Sequence, residues 1–193
     1  MKKITLIIAL LSIPSISLSF DRYFLSEIGS AYFTHLTLHE LGHQALADSA
    51  DAVNPQMHIG IGITPASVTY DSLPSDSRLS FAAAGYVMEQ TTFDYALTAY
   101  RNDPTLFNRS LMIFSTLNFA VYSAYSLYID PDNDMLDANT IRGEIGIDRN
   151  LLMGLIIGKS LTNWYRAVNP NCNIYPTIGV DITSVNLMIN YRF

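Results

Sequence analysis

Beyond residue 20, apolar positions in this chain fall into four stretches with helical spacing, and strict alternation is confined to two places. Tyr23 to Ala47 contains no proline and is apolar on most sides, which suits a buried or membrane-embedded helix. After Pro55, Ile59, Ile61 and Ile63 alternate with small residues, the pattern of a short strand. Leu79 to Tyr100 returns to helical spacing, and Ala82, Ala83, Ala84 and Gly85 give it a small-residue face that lets another helix approach closely. Ser110 to Ile129 is twenty residues without a charge, long enough to cross a bilayer. The segment from 129 to 149 is acidic and rich in turn formers, and reads as a loop. Asn150 to Val168 is again helical, with Gly154 and Gly158 in a small-xxx-small arrangement and Trp164-Tyr165-Arg166 suited to a membrane interface. The tail alternates through Ile178, Val180 and Ile182, then Val185, Leu187, Ile189, Tyr191 and Phe193, which predicts a β-hairpin.

Composition sharpens this picture. The 193 residues are 49% hydrophobic and 15% charged, with a mean hydropathy of +0.20, so the chain has too little charge for disorder and leans toward a membrane protein. The expected fold class is mainly α: a multi-helix integral membrane protein with a short strand after the first long helix and a C-terminal β-hairpin. Net charge is −6 and basic residues are scattered after the N-terminus, so no stripe exists to neutralise phosphates and nucleic acid is excluded as a partner. Cys172 is the single cysteine and has no CxxC or Cys/His neighbour. Lys2-Lys3, the apolar run Ile4 to Ile13, Pro14 and Ser17-Leu18-Ser19 follow the order of a secretory signal. Residues 1–20 are therefore expected to be a signal peptide or N-terminal anchor, and 21–193 a single domain in the bacterial inner membrane, with the periplasm or outer envelope as alternatives.

The chemistry concentrates in the pentapeptide HELGH, residues 39–43. On a helix His39 and His43 lie one turn apart on one face, where both imidazoles reach a single cation. Glu40 flanks the pair, where a carboxylate can take a proton from a water activated by the ion and later pass it to a leaving amine. Gly42, on the other flank, leaves room for a substrate strand or a neighbouring helix. Ionisable groups inside an otherwise apolar helix are expensive and usually functional. His35 continues the spacing, but it is about 12 Å from His43 along a helix axis, too far for one ion to bind all three. It is expected to support or pack against the site.

A third ligand must come from elsewhere. His58 lies beyond the helix in a strand-like run, where a structural role competes with ligation. Glu89, in GYVMEQTTFDYAL, is a helix-borne carboxylate of the kind that completes some HExxH zinc sites, and competes with a reading as an ordinary polar residue. Asp134 and Asp137, in DPDNDMLDAN, are loop carboxylates, competing with a solvated acidic turn.

This pattern resembles the site-2 protease family of intramembrane zinc metalloproteases, in which a membrane helix carries HExxH and a distant aspartate in an LDG-type motif completes the zinc site. HELGH matches in full, and the resemblance implies that His39 and His43 bind Zn2+ and that Glu40 is the general base. Met135-Leu136-Asp137-Ala138 resembles the LDG motif with alanine in place of glycine, which makes Asp137 the implied third ligand and leaves Asp134 or Glu89 as alternatives. In a membrane, His43 and Asp137 share one ion only if an even number of crossings separates them, so Leu79 to Tyr100 and Ser110 to Ile129 must both span. The function expected is that of a zinc-dependent membrane peptidase. Its partners would be a peptide or membrane-protein substrate, the lipid bilayer, and an accessory protein for substrate choice. The alternative is a non-catalytic membrane or envelope protein with a structural metal-like site.

Overall fold

The absence of proline from residue 24 onward lets a helix, α1 (Phe24–Ser49), run for seven turns through the HELGH motif. It stops where Asp51 and Asn54 take positive φ and Pro55 follows. The structure, a computed structural model, describes residues 23–60, 66–172, 174–181 and 184–191. The signal or anchor expected over residues 1–20, and Ile61 and Ile63, lie outside the described residues.

A small antiparallel hairpin follows, β1 (Gln56–Ile59) against β2 (Ala66–Thr69), where the alternation suggested one strand. Then come α2 (Arg78–Asn102) and α3 (Leu106–Tyr128), each within a few residues of the stretch expected. The acidic segment is not all loop. Its second half winds into α4 (Asp137–Ile145), which ends at Gly146 in the left-handed conformation that glycine adopts without steric cost. Last are α5 (Arg149–Val168), capped by Asp148 accepting from the N–H groups of Asn150 and Leu151, and the hairpin of β3 (Ile174–Asp181) and β4 (Ser184–Tyr191), in antiparallel register with Ile178 opposite Leu187. The described chain is thus mainly α, five helices with two two-stranded sheets.

Helices α1, α2 and α3 pack against one another, with α4 and α5 added on the α2 and α3 side. Two apolar clusters mark the ends of this bundle. One joins Ala31 of α1 to Phe93, Ala96 and Leu97 of α2 and Leu111 of α3; the other joins Tyr86, Phe119, Leu127, Ala138, Leu152 and Ile156. Helix α2 therefore leaves the HELGH end and α3 returns to it, which carries the chain back to the segment holding Asp137. At the far end Glu27 accepts from the Phe107 N–H at 3.1 Å, tying α1 to the start of α3.

The integral-membrane expectation requires correction at the level of the helices: among the described residues none is long and apolar enough to cross a membrane. Ser115, Thr116, Asn118, Ser123 and Ser126 dilute the apolar content of α3. Gln90, Asn163, Arg166 and Asp94 form a polar seam joining α2 to α5, with Arg166 Nη1 2.7 Å from Asp94 Oδ1. Arg166, expected at an interface, is thus buried, while Trp164 and Tyr165 beside it are exposed.

Close helix approach also falls elsewhere than at Gly154 and Gly158, whose missing side chains face open space. It occurs at Gly42, where a Cβ would lie 2.5 Å from Met88 Cγ and 2.6 Å from the Ala84 carbonyl oxygen. Gly42→Ala is expected to lower thermal stability by about 1–3 kcal/mol through overpacking. Gly154→Ala is expected to raise it by about 0.5–1 kcal/mol, since alanine loses less backbone entropy in a helix. Thermal unfolding of the two variants beside the parent measures both, and a destabilised Gly154→Ala would show that α5 packs there after all.

Candidate metal centre

His39 and His43 project from α1 toward α2 into a space that exists because residue 85 is glycine. A Cβ at that position would lie 2.5 Å from His39 Cε1 and from His43 Nε2. The small face read from Ala82 to Gly85 is therefore the wall against which the two imidazoles stack, and all four of its residues are buried.

The ring nitrogens have distinct jobs. His43 Nδ1 lies 2.7 Å from the Phe81 carbonyl oxygen, which can only accept, so Nδ1 carries the hydrogen and Nε2 is left with a lone pair. His39 Nδ1 lies 3.2 Å from Glu89 Oε1, which also accepts from Asn118 Nδ2 at 3.0 Å. Burial alone would push the Glu89 carboxyl up, but its hydrogen bond to His39 and the charges of His39, His35 and Lys159 outweigh it and hold Glu89 below its usual range. Glu89 is thus the carboxylate behind a candidate ligand, placed to orient the imidazole.

Asp137 comes from the opposite direction, at the first residue of α4. The preceding loop is folded to deliver it: Asn139 Nδ2 donates to the carbonyls of Asp130 and Asn133 at 2.8 and 2.9 Å, and Thr140 Oγ1 donates to that of Asp134 at 2.6 Å. Asp137 Oδ2 ends 3.3 Å from Nε2 of both His39 and His43, which are themselves 3.2 Å apart. All three residues are buried.

These donors fit a metal ion. Ligands about 2.0–2.1 Å from a tetrahedral zinc lie about 3.3 Å from one another, so the triangle matches one face of such a tetrahedron. The chemistry agrees: with the His43 Nδ1 hydrogen on the Phe81 carbonyl and His39 Nδ1 facing the Glu89 carboxylate, two Nε2 lone pairs and a carboxylate oxygen face each other, and that arrangement is repulsive without a cation among them. In the metal-free protein a proton can take that place. Burial alone would lower the His39 pKa, but Asp137 and Glu89 outweigh it and raise it well above the usual histidine value. Asp137 is correspondingly held far below the usual carboxylate range, against burial, by His43 and His39.

Glu40 is buried beside this group, and burial pushes its carboxyl up from the usual value while His39 and His43 oppose the shift. The alternatives for the third ligand fall away from the triangle. Asp134 is on the surface, its carboxylate 3.7 Å from Arg78 Nη2, and Glu89 sits behind His39. His58 is exposed in β1, 3.2 Å from the Thr69 hydroxyl, and His35 is fully buried with Nε2 3.7 Å from Glu89 Oε1. Gly42 faces α2 rather than an open substrate groove.

The sequence reading missed the Phe81 carbonyl, Asn118 and Tyr122. The Tyr122 ring stands edge-on to His39 with centroids 6.5 Å apart. The charge-free run around residues 118 and 122 gave only a hint, in that an asparagine within it needs a polar partner. Comparison with protein-family models, curated proteins and solved structures finds no match to this chain.

Elemental analysis of the purified protein is expected to give about one metal ion per chain, lost in His39→Ala and Asp137→Ala and retained in Asp134→Ala. Glu89→Gln is expected to weaken the metal about 10- to 100-fold, as loss of a ligand-orienting carboxylate does. Full metal content in Asp137→Ala would discard the triangle as a binding site.

Proposed function

We propose that this protein is a zinc-dependent peptidase. The observation that carries the reading is the convergence of His39 Nε2, His43 Nε2 and Asp137 Oδ2 within hydrogen-bond distance of one another, beside a buried Glu40. Two imidazoles and one carboxylate suit zinc, and three protein ligands leave the fourth position for water or substrate, as in catalytic rather than structural zinc sites. A zinc ion held there supplies a Lewis acid that polarises a carbonyl and lowers the pKa of water.

The chain's own residues do the rest. Glu40 receives the proton of the attacking water and hands it to the nitrogen of the leaving amine, a task favoured by its upward-shifted carboxyl. Glu89 and the Phe81 carbonyl hold the two imidazoles in the tautomer that presents Nε2. Asn118 keeps Glu89 in place.

Peptides or membrane proteins are the substrates this reading names, with an accessory protein assisting their choice. Lipid as a partner is supported by the outer face of α5, where Leu151, Leu155, Ile157, Leu161, Trp164 and Tyr165 are all exposed. Such a face, ending in aromatic residues, suits a helix lying against the lipid surface of a bacterial envelope.

Glu40→Gln is expected to keep its zinc and to hydrolyse a mixed-sequence fluorogenic peptide library roughly 10²- to 10⁴-fold more slowly than the parent. No hydrolysis by zinc-loaded parent protein, or equal rates for parent and variant, would remove the peptidase reading and leave a structural metal site.

A further inference from the structure

A second feature lies on the far side of Tyr86 and Ala138 from the metal ligands. A cavity of about 230 Å³ opens between α2, α3, α4, α5 and the C-terminal hairpin. Phe119, Ile141, Leu152, Ile156 and Ile178 give it an apolar lining. Only two of its lining residues carry a polar side-chain atom. Tyr86 spends its hydroxyl on Ser123 Oγ at 2.8 Å, and Ser123 in turn donates to the Phe119 carbonyl.

The other is Lys159. It is 6% exposed, and its Nζ has no hydrogen-bond partner and forms no ion pair among the described residues. It stands 3.5 Å above the centroid of the Phe119 ring, which stabilises a cation without satisfying its three N–H donors. Of the charged groups that act on it from neighbouring elements, Asp94 is paired with Arg166, whose own charge opposes that of Lys159, and Glu89 faces His39 and Asn118 through Oε1 while its Oε2 has no hydrogen-bond partner. Burial brings its pKa down to about 8, against the pull of those carboxylates, so the amine is still largely protonated at neutral pH. Nζ itself is closed off, so the stem of Lys159 lines the cavity and the amine lies just behind its wall against Phe119; an ammonium there with no hydrogen bond is costly unless something anionic comes to it.

We propose that this cavity binds a short aliphatic carboxylate, its chain among the apolar side chains and its carboxylate on Lys159 Nζ. The volume lies just below the range of about 300–1,000 Å³ usual for ligand pockets, which favours a short chain over a full-length lipid tail. The same chemistry is found in a free fatty acid and at the C-terminus of a peptide ending in an aliphatic residue. None of the lining residues is a metal donor, so the site stands whether or not the peptidase reading holds.

The test is a titration of full-length, metal-loaded protein with ¹³C-carboxyl octanoate followed by NMR, with octan-1-ol as the uncharged control and acetyl-Leu-Leu as the peptide probe. Saturable binding of octanoate, weakened at least tenfold in Lys159→Met while octan-1-ol binding stays within twofold, is expected. Preference for acetyl-Leu-Leu over octanoate, with the same dependence on Lys159, would support the site and name the peptide terminus as its source. Ile156→Trp, which fills the cavity, is expected to abolish binding of both octanoate and octan-1-ol, with metal content reporting that the variant has folded. Non-saturable partitioning of octanoate, or equal affinity in parent and Lys159→Met, would overturn the proposal.

Discussion

The approach of α1 to α2 is closer than side chains ordinarily allow, and the candidate centre depends on it. At Gly42 the backbone of α1 lies against the Ala84 carbonyl, and at Gly85 the backbone of α2 lies against both imidazoles. One glycine on each helix lets the other helix fill the space of its missing side chain. Because the helices are this close, the Phe81 carbonyl reaches His43 and Glu89 reaches His39, so α2 sets the direction of both rings. A wider interhelical distance would leave the rings free to rotate and the Nε2 atoms no longer aimed at one point.

Around that contact the interior holds many polar and charged side chains. His35, Glu89, Asn163, Lys159 and Arg166 are all buried, and Arg166, Asn163, Gln90 and Asp94 satisfy one another in a continuous seam. Buried charge is retained where it is paired or where it has work to do. The seam is the paired part. The triangle of His39, His43 and Asp137, which could hold a cation, and the ammonium of Lys159, which has no hydrogen-bond partner, are the parts left without a full complement from the described residues.

The same polarity explains why the helices fall short of membrane spans. In α3 the buried face carries Ser110, Ser115, Thr116, Ser123 and Ser126, while Leu117, Val121 and Tyr125 point outward. A charge-free run had suggested a crossing on charge and length alone, and the serines, threonines and asparagine within it bring its apolar content below what a crossing needs. Ser115, Thr116 and Ser123 satisfy themselves on the carbonyls one turn back, of Leu111, Met112 and Phe119.

The sequence by itself determined the four long helices to within a few residues, the C-terminal hairpin, and the pairing of His39 with His43 on one helical face. Each of these follows from local periodicity or from spacing within a single element, so each is written in consecutive residues. Tertiary structure separated Asp137, implied by the LDG-like motif, from the alternatives Asp134 and Glu89, since all three are carboxylates at a distance in sequence and only packing brings Asp137 to the Nε2 side, Glu89 to the Nδ1 side and Asp134 to Arg78. It also decided which glycines matter, because Gly42, Gly85, Gly154 and Gly158 look alike in a helical sequence, and what distinguishes them is whether another helix occupies the space beside them.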